Sequence, residues 1–164
     1  MDDVRWLTKD EDRAWRGYRR MHTLLDLQVA RDLGDSGLSD ADYDVLSTLS
    51  EAPQGQWRAG ELAKRLLWST SRLAHHTGRM QRRGLVARVD CPGDGRGTGL
   101  ALTDSGWATL RRAAPDHVRS VRRHIIDLLD ADEVRSLASI AAKVVAHLGE
   151  PGPAPEAPPL SLEP

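Results

Sequence analysis

Residues 58–86 read RAGELAKRLLWSTSRLAHHTGRMQRRGLV, and this stretch decides the fold. Leu62, Ala63, Leu66 and Leu67 recur at helical spacing and make one apolar face. Ser69 follows as a natural N-cap, because its hydroxyl can accept from an N–H that the first turn of a helix leaves without a partner. The helix it opens turns Leu73, Thr77 and Met80 inward. Gly84 followed by Leu85 then supplies the glycine stop and the apolar contact that often accompanies it. Two short helices meeting at a tight turn are a helix-turn-helix. A rotation of about 100° per residue puts Ser71, Arg72, His75 and Arg79 on the outer face of the second helix, with Thr70 near its start.

Directly after it, VARVD (86–90) and TGLALT (98–103) favour strands, and CPGDGRG (91–97) between them cannot continue either one. The expectation is a β-hairpin with a flexible tip. A basic, well-capped helix followed by a hairpin has a physical logic. The B-DNA major groove admits one helix, and a hairpin beside it can reach the adjacent backbone. Arginine pairs with both acceptors of guanine, while Ser69, Thr70 and the free peptide N–H groups near them suit phosphate. Lys64, Arg65, Arg82, Arg83 and Arg88 read as backbone contacts or as solvated charges. At the hairpin tip, Asp94 and Arg96 flank Gly95, so the acid can hold the guanidinium extended toward a minor groove; taken alone, the same DGRG is a polar turn.

Outward from this core, Thr8 with Glu11 opens a long helix to about Leu33, ended by Gly34 and Gly37. Its apolar stripe, Trp15, Tyr18, Met21, Leu25 and Val29, needs a partner surface. A second helix starts at Ser39, turns Tyr43, Leu46 and Leu49 inward and stops at the Pro53–Gly55 turn. Thr103 caps a helix expected to reach Leu129, bent or interrupted near Pro115. Asp130 with Glu133 begins a last helix carrying Val134, Leu137, Ala141, Val144 and Leu148. The segment 150–164 holds six of the nine prolines and reads as a disordered tail. The fold class is thus mainly α with a small β-hairpin: a single unit over 1–149, with a DNA-binding lobe at about 39–103 between long helices at 8–33 and 116–148.

At 164 residues the chain has the length of one ordinary domain. Its net charge of -1 hides an uneven distribution. From Arg58 to Arg96 there are nine Lys or Arg against three acids, net +6, leaving -7 on the other 125 residues. No apolar run approaches the roughly 20 residues of a membrane span. The acidic start MDDVRWLTKDED lacks the pattern of a secretory signal, so a cytoplasmic location is expected. The single Cys91 cannot form an internal disulfide and no CxxC pair suggests zinc. The six histidines are badly spaced for a metal, since His75 and His76 point about 100° apart on one helix. No metal or cofactor is expected. Ser69, Ser71 and His75 share one short helix with no strand-turn-helix elbow and no oxyanion or phosphate loop, so capping and DNA contact explain them better than an enzyme does. A winged helix that binds another protein instead of DNA is the competing class.

In order and spacing, LAKRL, WSTSRL, RGLVAR, the D-x-R of Asp94 and Arg96, and LT-x-x-G (Leu102, Thr103, Gly106) resemble the MarR family (multiple antibiotic resistance regulator) of bacterial transcription factors. The likeness spans nearly the whole chain before the tail. It implies a winged helix-turn-helix homodimer, intertwined through the first and last helices, that represses a promoter by occupying a pseudo-palindrome. Residue by residue, it makes Thr70, Ser71, Arg72, His75 and Arg79 the recognition set and Arg96 the wing's minor-groove probe. Many members of the family are released from DNA by small phenolic or anionic molecules. Trp15, Arg19, His22 and Tyr43 would line such a pocket, although Trp15 and Tyr43 also read as plain core. Two residues depart from the pattern: His76 stands where the family usually carries an apolar residue, and Gly78 weakens the middle of the recognition helix.

Overall fold

The computed structural model describes residues 4–90 and 98–149. Six helices and three strands follow one another as α1 (Lys9–Gly34), α2 (Asp40–Ser50), β1 (Gln56–Arg58), α3 (Ala59–Arg65), α4 (Thr70–Arg82), β2 (Val86–Asp90), β3 (Thr98–Leu102), α5 (Asp104–His124), a 3-10 turn (Ile126–Leu128) and α6 (Ala131–Leu148). Residues 91–97, which hold Cys91, Asp94 and Arg96, lie outside the described residues, as does the segment 150–164 expected to be disordered.

Side chains set the helix starts. Thr8 and Glu11, Ser39 and Asp42, and Asp130 and Glu133 each form a capping box, in which the cap oxygen and the acid three residues on satisfy each other's backbone N–H. The ends of α3 and α4 share one device. The amides of Leu67 and Trp68 donate to the carbonyls of Lys64 and Ala63, and those of Gly84 and Leu85 donate to the carbonyls of Gln81 and Met80. Both are Schellman motifs, which need a left-handed residue after the cap. Gly84 takes it freely at φ 71°, whereas Leu67 takes it at φ 52° with its side chain exposed, at a cost of roughly 1 kcal/mol. That strained residue forms the turn of the helix-turn-helix and turns the chain into the Ser69 cap.

The core lies inside the lobe. Leu33 and Leu38, Val45, Leu46 and Leu49 of α2, Leu62 of α3, Leu73 and Met80 of α4, Leu100 of β3 and Leu110 of α5 are all buried in one cluster. The sheet corrects the expected two-stranded hairpin: it has three antiparallel strands in the order β1-β3-β2. Trp57 pairs with Leu100, and Val86 pairs with Leu102. Three residues are too few to show strand alternation, so β1 has no sequence signal of its own. It is held by β3 and by Trp57 Nε1, which donates to the Thr48 carbonyl at 3.0 Å.

Helix α5 departs from expectation twice. It runs unbroken through Pro115, although a proline removes one helical hydrogen bond and crowds the carbonyl four residues back. The buried Ala113 and Ala114 beside it pack into the lobe and carry the helix across the defect. It then ends at His124 and not at Leu129. The β-branched Ile125 leaves the helical conformation there, Ile126 begins the 3-10 turn, and Arg122 bonds Asp127 across the break at 2.6 Å. Asp32 of α1 clamps α5 from the side, accepting from Ser120 at 2.6 Å and facing His124 Nε2 at 3.2 Å.

Outside the lobe the apolar stripes are bare. Leu33 is the one buried residue of α1, and α6 has none. Trp15, Tyr18 and Met21 of the expected inward stripe are exposed, and Leu25 and Val29 are half-buried.

Candidate nucleic-acid interface

Helix α4 presents two different faces. Leu73, His76, Thr77 and Met80 are buried, while Thr70, Ser71, Arg72, His75 and Arg79 are exposed. Ser69 caps it by accepting from the Arg72 amide at 3.1 Å, and its first turn contains no acid. The peptide N–H groups thus make the start of the helix electropositive, with no acid in its own first turn to offset them. Ser71, Arg72, His75, His76 and Arg79 line a recess of ≈ 550 Å³ with Ser39 and Ala41 at the start of α2. Four of the five sequence-derived recognition residues, Ser71, Arg72, His75 and Arg79, thus share one concave surface, and Thr70 lies outside it.

Aromatic rings support two of the cations. The Arg72 guanidinium lies 4.1 Å from the centre of the Trp68 ring, and that of Arg65 lies 3.9 Å from the Trp57 ring. A guanidinium on an aromatic face is held flat and keeps its N–H edge free to donate. Lys64 is exposed in the last turn of α3 beside this surface. Arg83 has a different employment from the DNA contact suggested for it. Its Nη1 donates to Asp42 at 2.7 Å and its Nη2 to the Gly37 carbonyl at 3.1 Å, which ties the end of α4 to the start of α2.

Sequence reasoning missed the centre of this tie. His76, 9% exposed, directs Nε2 to Asp42 Oδ1 at 3.1 Å, and its Nδ1 accepts from Arg79 Nη2 at 2.8 Å. Asp42 also accepts the Ser39 amide. Burial works against the charge on Asp42, but the bonds from Arg83 and Ser39 outweigh it and hold its pKa below the ordinary range. Burial also lowers the His76 pKa; Asp42 opposes that shift, and Arg79 and Arg72 reinforce it. A signal was present: His76 sits three residues after Leu73 and four before Met80, on the inward stripe, where an imidazole requires a buried partner.

The four pocket candidates are not gathered in one place. Trp15, Tyr18 and His22 stack in a row along exposed α1, with ring centres 5.9 and 6.0 Å apart, and Arg19 lies 6.0 Å from the Trp15 ring. Tyr43 is buried in the lobe, its ring 4.2 Å from that of His117. Tyr43 Oη and His117 Nδ1 have no hydrogen-bond partner within the described residues. Among those residues no group of three or more His, Cys, Asp or Glu is placed to hold a metal, and no helix is long and apolar enough to cross a membrane.

The MarR family profile matches residues 36–97, which begin just before α2 and end just before β3. Two solved structures resemble nearly the whole chain. One is AbsC, a MarR family transcriptional regulator from Streptomyces coelicolor, which is 41% identical with a TM-score of 0.84, over 88% of this chain and 98% of that one. The other is Sco3205 from the same organism, a MarR family regulator in complex with DNA, at 40% identity and TM-score 0.84 over 90% and 93% of the two chains. The regulator PecS of Dickeya dadantii is 27% identical over 131 residues, or 79% of this chain and 78% of its own. With its arrangement of helix-turn-helix, strands and flanking helices shared at this identity, the chain belongs to the MarR family of transcriptional regulators.

Proposed function

We propose that this regulator works in the cytoplasm as a homodimer, reading a pseudo-palindromic DNA operator with α4 of each copy and repressing the promoter it covers. The exposed donor face of α4 carries this reading. Its base-reading side chains (Arg72, His75, Arg79) and phosphate-holding groups (Ser69, Thr70, Ser71) stand on a helix fixed into a rigid lobe, and the related Sco3205 was solved with DNA. Lys64 extends the surface toward the backbone, and Arg96 with Asp94, which lie outside the described residues, are the candidates for the minor groove.

Bare apolar surface supports the dimer. Trp6 is 82% exposed and Leu148 74%, with Leu7, Leu24, Leu27, Ile140 and Val144 also open to solvent. This is far more than scattered surface residues need. A second copy covering these stripes would bury them and set two α4 helices about one DNA turn apart. The aromatic row with Arg19 on α1 suits a small anionic aromatic effector that shifts this arrangement.

Replacing Arg72 with Ala is expected to weaken operator binding by about 1–3 kcal/mol and binding to random duplex much less, because a lost bidentate base contact removes discrimination. Titration of both duplexes at one salt concentration checks this. An equal loss on both would make Arg72 a phosphate contact and leave α4 without its main reader.

A further inference from the structure

Arg79 sits on the exposed face of α4 with its guanidinium already held. Nη1 donates to Nδ1 of His75 and Nη2 to Nδ1 of His76. Two of the five N–H groups of a guanidinium are committed in this way, and the others stay free. A ring nitrogen accepts only if it carries no proton, so His76 must hold its proton on Nε2. Asp42 Oδ1 stands 3.1 Å away to receive that proton. The carboxylate is itself fixed by the Ser39 amide at 3.1 Å and by Arg83 at 2.7 Å. The Trp68 ring packs nearly perpendicular to the imidazole, with ring centres 5.3 Å apart. One buried ring therefore links the start of α2 to a guanidinium on the reading face.

We propose that His76 is a positioning residue for operator selectivity: in the tautomer set by Asp42 it holds Arg79 in one orientation, and a proton added to its Nδ1 releases Arg79. The inference rests on α4 being the helix that reads DNA. Protonation would turn the acceptor into a donor and set a cation against the guanidinium, since the same ring atom cannot accept and donate. The charged groups facing the ring are Asp42 from α2, which favours that proton, and Arg72 and Arg79 from α4, which oppose it. Arg83 opposes it through its claim on Asp42.

The test is a double-mutant cycle in the full-length chain, using a duplex recovered from a genomic library and a random duplex of equal length. His76→Leu is expected to lower the ratio of the two affinities about fivefold, with no further loss when Arg79 is already Ala. His76→Gln, which returns an N–H toward Asp42 and a carbonyl acceptor, should recover part of it. In a His75→Gln background, which removes the exposed imidazole that also accepts from Arg79, lowering the pH from about 7.5 through and below the ordinary imidazole range should reduce the ratio more than in the same background carrying His76→Gln or Arg79→Ala. If His76→Leu does not fold, the pH comparison in that background, with and without Arg79→Ala, decides alone. An equal fold-change with and without Arg79, or a pH response that is no smaller after Arg79→Ala, would overturn the proposal and leave His76 as packing. Failure to enrich any duplex would instead remove α4 as the reading helix, and this inference with it.

Discussion

Asp42→Ala is expected to destabilise the folded protein by about 3 kcal/mol, among the largest effects of any single substitution outside the apolar core. The carboxylate is buried and accepts from three donors: the Ser39 amide, Arg83 Nη1 and His76 Nε2. Removing it strands all three, and the imidazole and amide have little water to replace it. Arg83 is 43% exposed along its side chain and can be rehydrated in part, which keeps the cost at the lower end for a broken buried ion pair. Urea unfolding at matched protein concentration would measure the loss, since a dimer's stability depends on concentration. The same network gives stability a pH slope of known sign. His76 and His117 have folded pKa values lowered by burial, so the unfolded chain binds protons that the folded one refuses. Their contribution is full above about pH 6.5 and declines as pH falls toward the folded values. Asp42, also lowered, adds a second decline below about pH 4, where the unfolded carboxylate takes its proton first. Asp42→Ala should shrink the second decline, leaving the share of Asp32, whose pKa the bonds from Ser120 and Gln28 hold down.

Gly106→Ala is expected to cost about 3 kcal/mol or more, although alanine is the better helix former. Gly106 lies in the first turn of α5, and a Cβ there would fall 2.0 Å from the carbonyl oxygen of Leu85. That oxygen cannot swing away freely, because it accepts the Thr103 amide at 3.2 Å. Thr103 is itself fixed, donating to the Gly84 carbonyl at 2.6 Å and accepting the Gly106 amide at 2.9 Å. The added methyl must therefore push α5 off the start of β2, moving the hairpin relative to the flanking helix. A lower thermal midpoint with weaker duplex binding would report both consequences. Native stability in Gly106→Ala would mean that the junction yields far more easily than this bonding allows.

The LT-x-x-G pattern was legible as a family likeness, and the structure supplies its physical reason in this cap and close approach. Caps and periodicity made most of the lobe readable. Ser69, Ser39, Thr8 and Asp130 each start a helix as their side chains dictate, and the 73, 77, 80 stripe set which face of α4 is outward. What sequence did not show depends on contacts between distant segments. β1 exists because β3 is beside it, and α5 continues through Pro115 because its alanines are packed. Arg83 turns back to Asp42, forty-one positions earlier, a pairing no local pattern specifies. The sequence shows the apolar stripes of α1 and α6, which a single chain leaves exposed.

Whether this regulator reads DNA by sequence is tested most directly by selecting genomic duplexes at two salt concentrations. The expected result is enrichment of a pseudo-palindrome, with affinity falling roughly as salt to the power ~0.9 for each phosphate neutralised. No enrichment at either salt would contradict sequence-specific reading by α4 and point to a protein as the partner of the winged helix.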